Sequence, residues 1–201
     1  EIMKIGKACN ILARLGYKII VNLMQISEKT SEEIESASKY LNENKNITCM
    51  YFADSLGSMN SVDIKKTIFN IQNNFTREIG IHTHDNLGKA LSNSITAVNN
   101  GVKWIDSTVY GMGRGPGNLK TEIAQIEIAK SKTYLRNIDS MMHLISKYFI
   151  PLFKKYLWGT NPFYYIAGKS KIHPTYIQTM LSDKTFDYSI IKEITNNLKK
   201  K

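Results

Sequence analysis

Four short apolar runs rich in β-branched residues alternate with segments of helical periodicity, and this alternation restricts the fold more than any other feature. The runs are Tyr17 to Met24, Ile47 to Ala53, Glu78 to His82 and Val102 to Thr108. The units repeat at roughly 25–30 residues, the spacing of parallel strands joined by a crossover helix. An amphipathic helix over residues 2–15 precedes the first run, with Ile2, Ile5, Cys9, Leu12 and Leu15 at helical spacing and Gly16 as its stop. Thr30 and Glu33 form a capping-box pattern for a helix reaching about Asn44. Asn60 and Asp63 open the next helix, with Ile64, Ile68, Ile71 and Phe75 along one side. Leu87 to Asn100 reads as a helix with Leu91, Ile95 and Val98 inward, and Asn118 to Lys130 as another.

From about Thr133 the strands cease. Ile138 to Tyr156 reads as a helix interrupted by Pro151, Trp158 to Pro162 as a turn, and Pro174 to Leu181 and Ser189 to Leu198 as short helices. No apolar run approaches the roughly 20 residues that span a bilayer. Cys9 and Cys49 are the only cysteines and neither sits in a CxxC pair, which argues against a disulfide framework or a zinc–thiolate site and for a reducing, cytoplasmic setting. The balance of 27 basic to 17 acidic residues gives a net charge of +10. That invites a nucleic-acid reading. The excess is almost all Lys, spread thinly and pooled at Lys199 to Lys201, with Arg only at positions 14, 77, 114 and 136. A compositional bias of the source explains it better, and neither nucleic acid nor membrane is expected as a partner.

Three motifs carry chemistry. In Ile79-Gly-Ile-His82-Thr-His84-Asp85-Asn86-Leu-Gly88, residues two apart on a strand share a face, so His82 and His84 converge at the strand's end, where two imidazoles chelate a divalent ion. In Gly111-Met-Gly113-Arg-Gly115-Pro-Gly117-Asn118, four glycines in seven positions let backbone approach a ligand closely. The loop lacks the Lys-Ser/Thr ending of a P-loop and the spacing of the dinucleotide fingerprint. In Tyr51-Phe-Ala-Asp54-Ser55-Leu-Gly57, polar residues directly follow a hydrophobic strand, on the ligand-binding side of parallel α/β folds. Each motif alone has a bland alternative: a hydrogen-bonded polar pair, a capped flexible loop, a turn with a satisfied Asp. Together they fall at the ends of successive strands and point into one site.

On these residues, with Asp106-Ser107, the chain resembles the metal-dependent lyase and aldolase family of pyruvate-carboxyltransferase-type domains. That family includes HMG-CoA lyase, isopropylmalate and homocitrate synthases, and 4-hydroxy-2-oxovalerate aldolase. The resemblance covers residues 1 to about 130. Its C-terminal stretch, with Trp158-Gly-Thr-Asn-Pro162 and Ile172-His-Pro-Thr-Tyr176-Ile, is similar to the extension of aldolase-type members.

The resemblance implies an α/β fold, a partial TIM (β/α)8 barrel whose four units correspond to strands five to eight, in residues 1–132, followed by a helical extension in 133–201. The first four strands, and with them an Asp that completes the metal site and an Arg that polarises the substrate carbonyl, are then expected elsewhere. Carried over, His82 and His84 match the metal-ligating histidines and Asn118 a coordinating Asn. Ser55 matches the hydroxyl that holds the oxo-acid carboxylate, and Tyr176 loosely matches a catalytic tail tyrosine. The implied cofactor is Mn²⁺ or Mg²⁺, acting as a Lewis acid on a pyruvate-like 2-oxo acid as a C–C bond breaks or forms. The expected partners are the missing half-barrel and other copies in a homo-oligomer. The competing reading is an inactive half-barrel remnant, or an interaction module, from a split or degraded gene.

Overall fold

The computed structural model describes residues 2–128, 138–183 and 185–198. Its sheet has four strands, β1 (Ile19–Leu23), β2 (Ile47–Asp54), β3 (Glu78–Thr83) and β4 (Trp104–Ile105), in the spatial order of the sequence. Every neighbouring pair is parallel. Between them run α1 (Ile2–Arg14), ahead of β1, then α2 (Ser31–Glu43), α3 (Ser61–Gln72), α4 (Ala90–Asn99) and, after β4, α5 (Thr121–Ile128).

The helix starts follow the local chemistry. Thr30 Oγ1 accepts from Glu33 N at 3.2 Å while Thr30 N donates to Glu33 Oε2 at 2.8 Å. Asn60 and Asp63 repeat this reciprocal cap on α3. Such caps satisfy amide donors that the first helical turn leaves unpaired.

One face of the sheet packs against the helices. Val21, Met50, Phe52, Ile79 and Ile81 join Ile34, Leu41, Ile64, Ile68, Ile71 and Ala97 in the main core. The opposite face carries the alternate residues, and the register sets Asn22 beside Tyr51, Tyr51 beside Gly80 and Gly80 beside Trp104. At the sheet margins this face is open: Ile20, Met24 and Trp104 are 49%, 67% and 47% exposed.

Four details depart from the sequence reading. Leu12 of α1 and Leu15 just after it are exposed. On α4 the buried residues are the small Ala90, Asn93, Ser94 and Ala97, while Leu91, Ile95 and Val98 are half-buried; close approach of α4 to the sheet favours the small side chains. The fourth strand is short because the chain after Asp106 turns to meet the returning glycine loop, with Thr108 N donating to Leu119 O at 2.9 Å. Pro151 does not interrupt its helix. Ile138–Leu144 (α6) passes through a π-turn, Ile145–Phe149, into Ile150–Tyr156 (α7), and the wider turn accommodates the proline's missing N–H.

Three further helices follow, α8 (Pro162–Lys169), α9 (Pro174–Ser182) and α10 (Tyr188–Leu198). They pack around their own core of Tyr164, Ala167, Ile172, Ile177, Met180 and Ile191. The change of pattern near Thr133, Arg136, the end of the expected helix at Lys130 and the Lys199–Lys201 tail lie outside the described residues. Among those described, no helix is long and apolar enough to cross a membrane.

Candidate metal centre at the strand ends

His82 and His84 lie on the face of β3 turned away from the helices, their ring centroids 5.1 Å apart at 68°. His82 is fixed from the neighbouring strand, with its Nδ1 3.0 Å from Asp106 Oδ2. A carboxylate only accepts, so Nδ1 carries the proton and Nε2 presents a lone pair. Tyr51 joins from the other side. Its ring lies across Gly80, where a Cβ would collide with it. Burial first, then the negative charge of the nearby Asp106, push its phenol far above the usual range. Asp106 thus acts on both His82, through a hydrogen bond, and Tyr51, through its charge, linking three neighbouring strands.

Asn118 reaches the same place by backbone pairing. The glycine loop folds back antiparallel to the end of β3, so that Asn118 stands opposite His84. Asp85 N donates to Gly117 O at 3.0 Å and Leu119 N to Thr83 O at 3.4 Å. This return needs Gly117, whose φ is 76° and where a Cβ would strike Gly111 O. Asn118 Nδ2 donates to Met112 O at 3.3 Å, which leaves Oδ1 for a ligand.

Burial first, then the neighbouring His82, His173 and Arg114, push His84 down to about 4. Its imidazole is neutral at physiological pH, the state that ligates metals. His84 Nδ1 is buried and has no hydrogen-bond partner. An orphaned imidazole nitrogen beside a second imidazole lone pair and an amide oxygen is a donor set that fits a divalent ion. Among the described residues no three His, Cys, Asp or Glu side chains gather around one point. The set is two imidazoles and an amide.

The other residues singled out in the sequence are placed differently. Ser55 follows β2, one step beyond the ladder pair Asp54–Thr83. Its hydroxyl is buried and accepts from Gln25 N at 2.9 Å, so it also holds the turn after β1; its proton remains to donate. Asp54 faces the helices and accepts from Ser58 N and Met59 N at 3.0 and 3.1 Å. Tyr176 is 57% exposed, and among the described residues its ring makes no hydrogen bond or ring contact with His82, His84 or Asn118.

The C-terminal helices approach the site through Arg114, which donates to Thr175 Oγ1 at 3.1 Å. They also hold the glycine loop from behind: Gly159 N donates to Gly115 O at 2.8 Å, Trp158 Nε1 to Tyr110 O at 2.9 Å, and Thr160 Oγ1 to Asp85 O. Arg114, His173 and Thr175 lie within stretches already quoted, and Tyr51 opens the third motif, but the sequence singled out none of the four as a site residue.

A parallel α/β sheet with polar side chains gathered at the strands' C-terminal ends is the class of fold this chain has, and in that class ligands bind on that side. The chain belongs to the HMGL-like family, whose model matches residues 2–145. It is 33% identical over 120 residues to the 4-hydroxy-2-oxovalerate aldolase of Carboxydothermus hydrogenoformans, covering 60% of this chain and 35% of that protein. Among solved structures it is similar to the N-terminal domain of a candidate aldolase from Bacteroides vulgatus, with a TM-score of 0.76 and 27% identity over 94% of this chain and 62% of that one. The HMG-CoA lyase of Bacillus subtilis shares the fold, with a TM-score of 0.64 and 20% identity over 76% of this chain and 59% of that one. The chain thus spans about a third of the curated relatives it matches.

Proposed function

We propose that this chain is the part of a divalent-metal-dependent aldolase or lyase that carries strands five to eight of a (β/α)8 barrel, residues 1–132, with residues 133–201 as a helical extension. The reaction makes or breaks a C–C bond next to a 2-oxo acid. The observation that carries the reading is the meeting of His82, His84 and Asn118, two strand residues and a loop residue brought opposite them by main-chain pairing. The open inner face at Ile20, Met24 and Trp104 supports closure by further strands.

His82, His84 and Asn118 would hold Mn²⁺ or Mg²⁺, which supplies Lewis-acid polarisation of the 2-oxo acid's oxygens. The chain's own residues prepare that site. Asp106 fixes the His82 ring and its proton, so Nε2 faces inward. The Met112 carbonyl holds the Asn118 amide with its oxygen free. Ser55 offers a hydroxyl proton to the carboxylate from the β2 side, while the Gln25 amide keeps that hydroxyl in place.

The test is exchange of pyruvate methyl protons with deuterium, followed by NMR in the Mg²⁺-loaded full-length protein. Exchange is expected, His84→Ala should abolish it, and Ser55→Ala should raise KM, because the lost contact exists in both ground and transition states. No exchange with pyruvate or other small 2-oxo acids would overturn the reading in favour of an inactive half-barrel.

A further inference from the structure

A cavity of about 490 Å³ lies on the helix side of the sheet, between α2, α3 and the turns that follow β1 and β2. Its inner wall reaches the main core at Ile26, Ile34 and Met59. Ser55, His82, His84 and Asn118 do not line it. A space of this size takes a small molecule.

The polar part of the wall holds buried groups with nothing to bond. Thr67 and Asn70 stand one turn apart on α3, line the cavity and are each 5% exposed. Among the described residues neither side chain has a hydrogen-bond partner; Asn74 Nδ2 reaches only the main-chain oxygen of Asn70. Ser27 and Ser58 line the same space, and their hydroxyl oxygens are buried and unpaired as well. Folded chains keep few such groups, because burial strips their water without replacing it. Four around one cavity point to an occupant that bonds them.

Charge sorts the occupant. Three lysines reach the lining. Lys29 pairs with Glu33, Nζ to Oε1 at 3.6 Å. Among the described residues, Lys66 and Lys171 have no carboxylate within ion-pair distance. Lys171 Nζ lies 3.4 Å from Ser27 O, a neutral partner, and so brings the turn between α8 and α9 to the mouth. The two carboxylates on the lining are already engaged. Asp63 accepts from Asn60 N at 2.9 Å. Glu32 is held ionised by its own N–H first and then by Thr30, with the charge of Lys66 a smaller influence. Ser31 opens the 13-residue α2 on the same wall, and the amide end of a helix favours negative charge.

We propose that this cavity binds a small anionic metabolite, its phosphate or carboxylate group held by Lys66, Lys171 and the start of α2, with Thr67 Oγ1 and Asn70 Nδ2 donating to its oxygens. An occupant there clamps the turn between α8 and α9 to the turn after β1. The site goes beyond the aldolase reading and uses none of its residues, so either stands or falls without the other.

Binding is read by titration calorimetry on the metal-free full-length protein at low salt, with inorganic phosphate and, separately, with malonate. Saturable binding of at least one is expected, and the tighter probe tells phosphate from carboxylate. Asn70→Asp, which sets a carboxylate where the anion would lie, should remove it. Lys66→Gln and Lys171→Gln should each weaken it roughly tenfold. Thr67→Val should weaken it roughly fivefold while leaving Tm unchanged or higher, because the hydroxyl it removes bonds nothing in the folded chain. Lys65→Gln, exposed on α3 and outside the lining, should leave affinity unchanged. No saturable binding of either probe, wild-type affinity in both Asn70→Asp and Thr67→Val, or equal losses in Lys65→Gln and Lys66→Gln would overturn the proposal.

Discussion

Asp106 and His82 meet across neighbouring strands with their polar atoms 3.0 Å apart, and this contact decides which nitrogen of the histidine faces the site. Carboxylates placed behind a metal-binding imidazole typically contribute ten- to a hundredfold in metal affinity. Asp106→Asn should therefore weaken Mn²⁺ binding by roughly ten- to a hundredfold, because an amide can turn its N–H₂ toward Nδ1 and favour the wrong tautomer. Titration calorimetry on both proteins measures it. Equal affinities would remove Asp106 from the site.

Gly80 and Tyr51 form a steric pair. A methyl group at residue 80 would enter the Tyr51 ring. Gly80→Ala should cost about 1–3 kcal/mol, the usual penalty of overpacking. Tyr51→Ala in the same chain should recover part of it, since the obstacle is then gone, giving a strongly non-additive double-mutant cycle in urea denaturation. Additive costs would mean that the ring gives way freely.

Asp54 is buried at the end of β2, and burial raises its carboxyl to about 6, against the pull of the Ser58 and Met59 amides. The folded chain thus holds a proton that the unfolded chain has already lost between about pH 4 and pH 6. This group's contribution to stability is full below the unfolded pKa and disappears as pH rises through 6, on the order of 2–3 kcal/mol in total. Carbonyl NMR of Asp54 should show a midpoint near 6. Relative to Asp54→Asn, the wild type should be more stable at pH 4.5 than at pH 8. A midpoint in the ordinary carboxylate range would contradict the burial argument.

The exposed inner residues have a consequence for association. Ile20 and Met24 form an apolar strip beside the free edge of β1, and such strips drive self-association. The chain should sediment as a concentration-dependent oligomer, and Ile20→Lys with Met24→Lys should shift it toward monomer. A wild-type monomer over the whole concentration range would show that the strip is inert.

What was legible in the sequence follows the range of the interactions. The periodicity of the first three strands, the Thr30–Glu33 and Asn60–Asp63 caps and the facing of His82 with His84 are local, and each stands in the structure as read. So does the parallel order of the four strands, because consecutive units of this kind pair in sequence. The Tyr51–Asp106–His82 linkage was not legible, because it depends on the register of three strands. Helix α8 escaped notice although Asn161-Pro162 is a cap followed by a first-turn proline, with Asn161 Oδ1 accepting from Phe163 N and Tyr164 N at 3.0 Å. The Arg114–Thr175 contact spans 61 residues and had no local sign at all.

Besides the Gly159–Gly115 backbone bond, three side-chain ties pin the glycine loop and its neighbours Tyr110 and Asp85 to the C-terminal segment, and they bridge 48, 61 and 75 residues of chain. A ribosome delivers all four strands well before it delivers Trp158, Thr160 and Thr175, and N-terminal elements fold first during synthesis. The sheet and its histidines are thus in place while the loop that carries Asn118 and Arg114 still lacks its anchors. A nascent chain interrupted short of α9 would hold a formed scaffold with an unfinished mouth, so completion of the site waits on the synthesis of the C-terminal helices.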